Sequence, residues 1–336
     1  SPDARSLALM RPNSDVLSIM EVPSGRQVQT LTPTGDPGVV QRLKFSADGS
    51  MLAVTYVPDY SQHQTTTTPK SLSLGQLKIW DLKTGRELRS IVSGDVSSEV
   101  DFSPDGRTLG TIGIMGQISL WDVQSGSKLR DLTSNPMSKL MNMPTSIKPG
   151  QMPTMPNMAD IAAMMNNVYG SMAAGTPGRT VTSLAFSPDG KTLFTGGVES
   201  KTNIDFAAMM SGAMKQGGKR SKGSKTPDPQ DIMKDLRVEA IGRVQLWDVA
   251  SGSEIGDLKG HGRAVSKVAL SRDGKLLATG GTDNTIKLWD LGAKRELITL
   301  TGHTANIESL DFSPDGRLLA SASEDGSTFL WDAKTG

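Results

Sequence analysis

All five tryptophans of the chain are followed by aspartate: Trp80-Asp81, Trp121-Asp122, Trp247-Asp248, Trp289-Asp290 and Trp331-Asp332. The intervals between them are 41, 126, 42 and 42 residues. A fixed period of this length constrains the fold more than any local propensity, because each unit must be a copy of one small structure. A second motif keeps phase with the first, as Phe45-Ser46-Ala47-Asp48-Gly49, Phe102 to Gly106, Phe186 to Gly190, Leu270 to Gly274 and Phe312 to Gly316. A polar turn ending in glycine follows the pair, as in Lys83-Thr84-Gly85 and Ala250-Ser251-Gly252. The chain opens on Ser1-Pro2-Asp3, and Met20-Glu21 stands where a Trp-Asp pair would be. Six units result.

Each unit reads as four short strands. In the fifth they are Ala264 to Leu270, Leu276 to Gly280, Thr285 to Trp289 and Arg295 to Leu300, rich in Val, Ile, Leu and Thr and bounded by Gly, Asp or Asn. The Asp-Gly step supplies a side chain that bonds its own backbone, then a residue that accepts positive φ. One such sheet cannot bury both faces, whereas copies stacked around an axis bury them and leave short, protected edges. The expectation is an all-β propeller.

These motifs resemble the WD-repeat (WD40) family across everything except three long insertions. The resemblance implies blades of four antiparallel strands, usually seven, of which six are visible here. Blade 1 lacks its innermost strand and blade 6 its outermost, so the sequence reads as a segment of a longer protein. The family resemblance further implies a buried chain of hydrogen bonds in some blades. Its members here are His261, Thr279, Asp283 and Trp289, and again His303, Ser321, Asp325 and Trp331. An Asp, a His and a hydroxyl also suggest nucleophilic catalysis, but recurrence at the same blade position favours a structural role that satisfies the indole N–H. Blades 2 and 3 carry Gly35-Asp36 and Gly94-Asp95 where Gly-His stands later. They are therefore expected to lean on packing and to be the softer half.

The 126-residue interval holds a single Ser-Pro-Asp-Gly turn, at residues 187–190, so its surplus reads as insertions. They span 133–179 and 198–241, with a smaller one at 58–75 in blade 2. In an antiparallel blade, second-to-third turns and blade-to-blade connections share one face of the disc, and all three insertions are expected there. Loops on a rigid scaffold are where binding residues concentrate. Two of the insertions carry helical periodicity: Met158, Ile161, Met165, Val168 and Met172 in one, and Phe206, Met209, Met210 and Ala213 in the other. A third helix is expected from Asp228 and Pro229, with Ile232, Met233 and Leu236 on one side. Met164, Met165, Val168, Phe206, Met209 and Met210 are the candidate partner-binding residues, since methionine-rich faces adapt to apolar partners.

Charge is balanced, with 36 Lys and Arg against 35 Asp and Glu, so no global field selects nucleic acid or an anionic membrane. Lys215 to Lys225 holds five cations in eleven residues but no aromatic to stack a base, and reads as a solvated linker. No apolar run is long enough to span a bilayer. The absence of cysteine excludes disulfides and thiolate sites, and is compatible with a cytoplasmic or an extracytoplasmic setting. His63 stands alone in a polar loop, so no metal or cofactor is expected. The function expected is a non-catalytic protein–protein interaction scaffold or sensor module. The near-identical repeats are similar to bacterial arrays fused to effectors such as kinases or caspase-like peptidases. The rivals are a propeller enzyme with a pocket in its central channel, and phosphate or nucleic-acid binding through 215–225.

Overall fold

The Ser-x-Asp-Gly turn sets the geometry of every blade. In blade 2 the Ser46 hydroxyl donates to the Asp48 carboxylate (2.6 Å), which also accepts the Ser50 N–H (3.0 Å), while the Gly49 N–H bonds the Ser46 carbonyl (2.9 Å). Closing this loop forces Gly49 to φ +72°, a conformation that costs glycine little. The same serine–aspartate bond recurs at Ser103, Ser187, Ser271 and Ser313. Blade 1 builds the turn from Ser1, Asp3 and Ala4, with Ala4 in the left-handed region at φ 55°.

The computed structural model describes residues 1–10, 14–35, 38–57, 75–92, 97–113, 116–132, 179–202 and 238–336. Within them are 22 strands and no helix. Blade 1 is β1 (Ser6–Met10), β2 (Leu17–Glu21) and β3 (Gln27–Leu31). Blade 2 is β4 (Val39–Phe45), β5 (Met51–Val57), β6 (Gln76–Asp81) and β7 (Arg86–Val92). Blade 3 is β8 (Ser97–Phe102), β9 (Thr108–Gly113), β10 (Ile118–Asp122) and β11 (Lys128–Leu132). Blade 4 is β12 (Arg179–Phe186), β13 (Thr192–Thr202), β14 (Val238–Asp248) and β15 (Glu254–Lys259). Blade 5 is β16 (Val265–Leu270), β17 (Leu276–Gly281), β18 (Ile286–Asp290) and β19 (Arg295–Leu300). Blade 6 is β20 (Ile307–Phe312), β21 (Leu318–Ser323) and β22 (Thr328–Asp332). The three-stranded end blades lack the inner strand in blade 1 and the outer strand in blade 6, as the repeat phase implies. The helical stripes at 158–172, 203–213 and 228–236 lie outside the described residues.

The hydrophobic core is divided into five slabs, one between each consecutive pair of blades. Between blades 1 and 2, Leu17, Ile19 and Leu31 pack on Leu52, Val54 and Trp80. Between blades 5 and 6, Ala278, Leu288 and Leu300 pack on Ile307, Phe312 and Leu319. Alternation along each strand sends one set of side chains forward and the other back, so every complete blade contributes to two slabs.

Bulges recur at equivalent places. In each outer strand the pairing skips one residue beside the Trp position, and the skipped residue is Val28, Leu88, Leu129, Ile255 or Leu297. All five are exposed aliphatics, and a bulge at a sheet edge discourages pairing with another edge. In the inner strands the skipped residues are Gln41, Ser98, Thr182, Ser266 and Glu308. Two of these hydroxyls reach the next blade: Thr182 Oγ1 donates to the Val265 carbonyl (2.5 Å) and Ser266 Oγ to that of Ile307 (2.6 Å).

One pair of strands is longer than the sequence pattern indicates. The β13–β14 ladder continues to Thr202 opposite Val238, about five residues past its counterparts, or ~17 Å at the strand rise. Arg243 anchors this extension by ion pairs to Glu199 (3.4 Å), Glu254 (2.7 Å) and Asp257 (3.0 Å). The ends of the expected insertion 198–241 are thus strand, and what lies beyond the ladder is 203–237.

Candidate functional site

The two histidine clusters are assembled from the inter-blade turn, the second strand and the third strand of blades 5 and 6. In blade 5 the Trp289 indole N–H donates to Thr279 Oγ1 (2.9 Å), which lies 2.7 Å from His261 Nε2, and His261 Nδ1 lies 3.1 Å from the Asp283 carboxylate. With the ring proton assigned to Nδ1, each link has one donor and one acceptor: indole to hydroxyl, hydroxyl to Nε2, Nδ1–H to carboxylate. In blade 6 the same chain runs from Trp331 to Ser321 (2.9 Å), His303 (2.8 Å) and Asp325 (2.9 Å). His261 is 3% exposed, and Gly281 passes so close that a Cβ there would meet its Nδ1 at 2.5 Å. The hydroxyls are thus committed inside the blade, facing the indole rather than any opening.

The carboxylates at the end of each chain are held strongly acidic. Burial disfavours the ionised Asp283, but its bonds from His261 and Thr285 outweigh that and hold the carboxyl well below the usual range. The Ser327 hydroxyl and Thr304 N–H do the same for Asp325. The turn aspartates Asp48, Asp105 and Asp189 are likewise lowered, chiefly by their serine partners. A depressed folded-state pKa adds stability that is fully present above the unfolded value of about 4 and is lost as pH falls towards the folded value. Melting temperature is therefore expected to stay level from about pH 7 to 5 and to fall below about pH 4. Circular dichroism melts across that range check it, and Asp325→Asn should flatten part of the acid-side slope.

Blade 2 departs from this scheme in a way the sequence conceals. Trp121, Trp247, Trp289 and Trp331 bond the hydroxyl two residues past the start of the facing pair, at Thr111, Thr195, Thr279 and Ser321. The register places Val54 at that position in blade 2, and the nearest threonine, Thr55, is one residue further on. A one-residue slip turns a side chain to the opposite face. Trp80 Nε1 and Thr55 Oγ1 are accordingly both buried without a partner. Val54→Thr is expected to supply the missing acceptor and raise stability by about 1 kcal/mol, read as a higher urea midpoint at unchanged slope. Thr55→Val serves as the companion variant that removes the second orphan.

Blade 2 also carries a charge network that sequence reasoning missed. Lys78 is 1% exposed, and its ammonium donates to Glu87 Oε1 (2.9 Å) and to the Thr34 carbonyl (2.9 Å). The equivalent position in other blades is also polar and tied to the outer strand: Ser119 to Asp131 (2.6 Å), Gln245 to Glu254 (2.9 Å) and Lys287 to Glu296 (2.9 Å). Blades 2 and 3, expected to lean more on packing, thus also carry polar ties between their third and fourth strands. Blade 2 is tied by a lysine–glutamate pair of the kind that blade 5 carries beside its histidine chain, and blade 3 keeps its Trp121–Thr111 bond with Lys128 over the indole ring (5.1 Å). The polar residue two before Trp80, Trp121, Trp247 and Trp289 was the available signal, and Phe329 breaks the series before Trp331.

Comparison with known families places this geometry. The model for the WD domain, G-beta repeat (WD40) matches residues 173–203, 252–290 and 294–332. The chain is a WD40-repeat β-propeller. The repeats and the blades of this WD40 propeller are out of phase by one strand, since 294–332 runs from β19 of blade 5 through β22 of blade 6. A similar curated protein is Autophagy-related protein 16 of Arabidopsis thaliana, 42% identical over 43 residues. That stretch is 13% of this chain and 8% of the relative, so the chain matches under a tenth of the relative's length.

The central channel of the WD40 propeller is a polar cavity of about 610 Å³ lined by the inner strands. Its cations are paired: Arg42 and Lys267 with Glu99 (3.7 and 3.4 Å) and Lys44 with Asp101 (3.3 Å). The Asp101 charge raises the Lys44 pKa, so this lysine is a fixed cation rather than a proton acceptor. Among the described residues no His, Asp and Glu cluster has the form of a metal site, and no helix is long and apolar enough to cross a membrane. Met164, Met165, Val168, Phe206, Met209 and Met210 lie outside the described residues, as do Asp36, His63, Gly94-Asp95 and the basic segment 215–225.

Proposed function

We propose that this propeller is a non-catalytic docking scaffold or sensor module, acting on a partner protein or on another domain of its own polypeptide, such as a kinase or a caspase-like peptidase. WD40 propellers commonly mediate protein interactions, which supports the general reading. The observation that carries the specific one is strand parity. The chain leaves the described blades at Val57, Leu132 and Thr202 and returns at Gly75, Arg179 and Val238. In antiparallel blades these six positions share one side of the disc. The face over blades 2 to 4, where the chain leaves and returns, is therefore the proposed docking face, with Met164, Met165, Val168, Phe206, Met209 and Met210 of the intervening sequence as its proposed binding residues. The rival of a channel enzyme has less support, because the channel cations are bound to carboxylates.

Affinity capture from native lysate tests the reading, using the whole chain and a chain lacking 133–178 and 203–237 but keeping the β13–β14 ladder. A protein retained by the first and lost by the second is the expected result. That partner should also protect Met164, Met165, Met209 and Met210 from peroxide. Equal capture by both chains, with equal methionine oxidation, sinks the docking face.

A further inference from the structure

In each inner strand the residue just after the bulge lies at one level of the channel wall: Arg42, Glu99, Ser183, Lys267 and Ser309 in blades 2 to 6. Glu99 and Lys267 meet at this level, with Glu99 Oε2 3.4 Å from the Lys267 ammonium. They belong to blades 3 and 5, so the contact skips a blade: β12 of blade 4 lies between β8 and β16 and packs on both. The same oxygen lies 3.7 Å from Arg42 Nε of blade 2. Both side chains of the skipping pair are 21% exposed, so salt screens them less than an open surface pair. Blade 4 permits the crossing because its residue there is short. Ser183 is 3% exposed and its hydroxyl accepts the Val268 N–H (3.2 Å), which leaves the space in front of β12 to the two longer side chains.

We propose that Glu99 and Lys267 form a brace across the channel that fixes the spacing of blades 3 and 5 and holds blade 4 between them. In stacked repeats each unit otherwise touches only its neighbours, and one contact can yield without changing the next. A bond between alternate blades removes that freedom. Blade 4 is wedged between its neighbours, and tilting or withdrawing it needs them to part, which the pair resists. Blade 4 is also the blade preceded by residues 133–178 and interrupted by 203–237, the two longest intervening stretches. A load applied through it is shared with blades 3 and 5, and Arg42 extends the brace to blade 2 through the same carboxylate. The inference rests on contacts at the hub and stands whatever docks on the disc.

Hydrogen exchange of the whole chain, followed by mass spectrometry, tests it with Glu99→Gln, Lys267→Met and Arg42→Met. All three side chains face the channel, so the variants are expected to fold. Lys267→Met should speed exchange in β8 by about fivefold, and Glu99→Gln should do the same in β16, each two blades from the substitution. Exchange in β12 should rise in both. The double variant should be no faster than Glu99→Gln alone, because both changes remove the same bond. Arg42→Met keeps the brace and should leave β16 as in the wild type. Sodium chloride at about 1 M should speed exchange in β8 and β16 of the wild type and not in the two brace variants. Faster exchange confined to the substituted strand overturns the proposal, as does a double variant in which the two effects multiply.

Discussion

Replacing Lys78 with alanine is expected to destabilise the propeller by about 3 kcal/mol, the usual scale for stripping one partner from a buried ion pair. The size follows from what is left behind. Glu87 is mostly enclosed, with 11% of its side chain exposed, and it would keep its charge without the ammonium 2.9 Å away. Removing both charges is a different experiment. Lys78→Met with Glu87→Leu fills the same space with apolar atoms and leaves only the exposed Thr34 to be served by water. The double variant is expected to recover to within about 1 kcal/mol of the wild type. Urea titrations of the wild type, both single variants and the double variant complete the cycle. If Lys78→Ala alone proves neutral, the network contributes nothing and blade 2 rests on packing after all.

His303→Ala should cost on the order of 1–3 kcal/mol, because it takes a partner from the buried Ser321 hydroxyl and empties a buried site. Ser321 Oγ loses the ring nitrogen at 2.8 Å, and Asp325 loses a donor at 2.9 Å. The Phe329 ring, stacked on the imidazole at 4.5 Å, loses its neighbour as well. Ser321→Ala removes the middle of the same chain, so the two losses should fall short of additive in the double variant. A His303→Ala protein of unchanged stability that had lost a hydrolytic activity would contradict the structural role and restore a catalytic one.

The fold was legible because its determinants are local and repeated. Each Asp-Gly turn and each Trp-Asp pair carries its own geometry, so phase alone locates the strands to within a residue in blade 5. The clusters at His261 and His303 were legible for the same reason. What escaped was any substitution that preserves the function of a position while changing its chemistry. Lys78 ties third strand to fourth as Lys287 does, but Ser119 and Gln245 fill the same position with other residue types, so no single motif marks it. Val54 was hidden by the threonine beside it, since a composition-like reading of Ala-Val-Thr-Tyr sees a hydroxyl and only register reveals which face it occupies. The β13–β14 extension was missed because Val198–Thr202 has no apolar alternation, and its one ion pair to the base of the ladder, Glu199 with Arg243, connects residues far apart in sequence.

The hydroxyls in the inner-strand bulges bear on how the ring comes apart. Thr182 and Ser266 bond the first inner-strand carbonyl of the following blade, so blades 4, 5 and 6 are riveted at the hub as well as glued by their slabs. Ser98 instead bonds Ile112 in its own blade, and the Gln41 side-chain oxygen is buried without a donor. Opening one blade of the riveted trio breaks a hydrogen bond belonging to its neighbour, which favours release of the three as one cooperative block. Blades 1 to 3 lack that hydroxyl link and are joined instead by contacts such as Arg42–Glu99, Lys44–Asp101 and Tyr56 to the Asp15 carbonyl. Hydroxyl bonding at the hub therefore ties blades 4, 5 and 6 more closely than it ties blades 1 to 3.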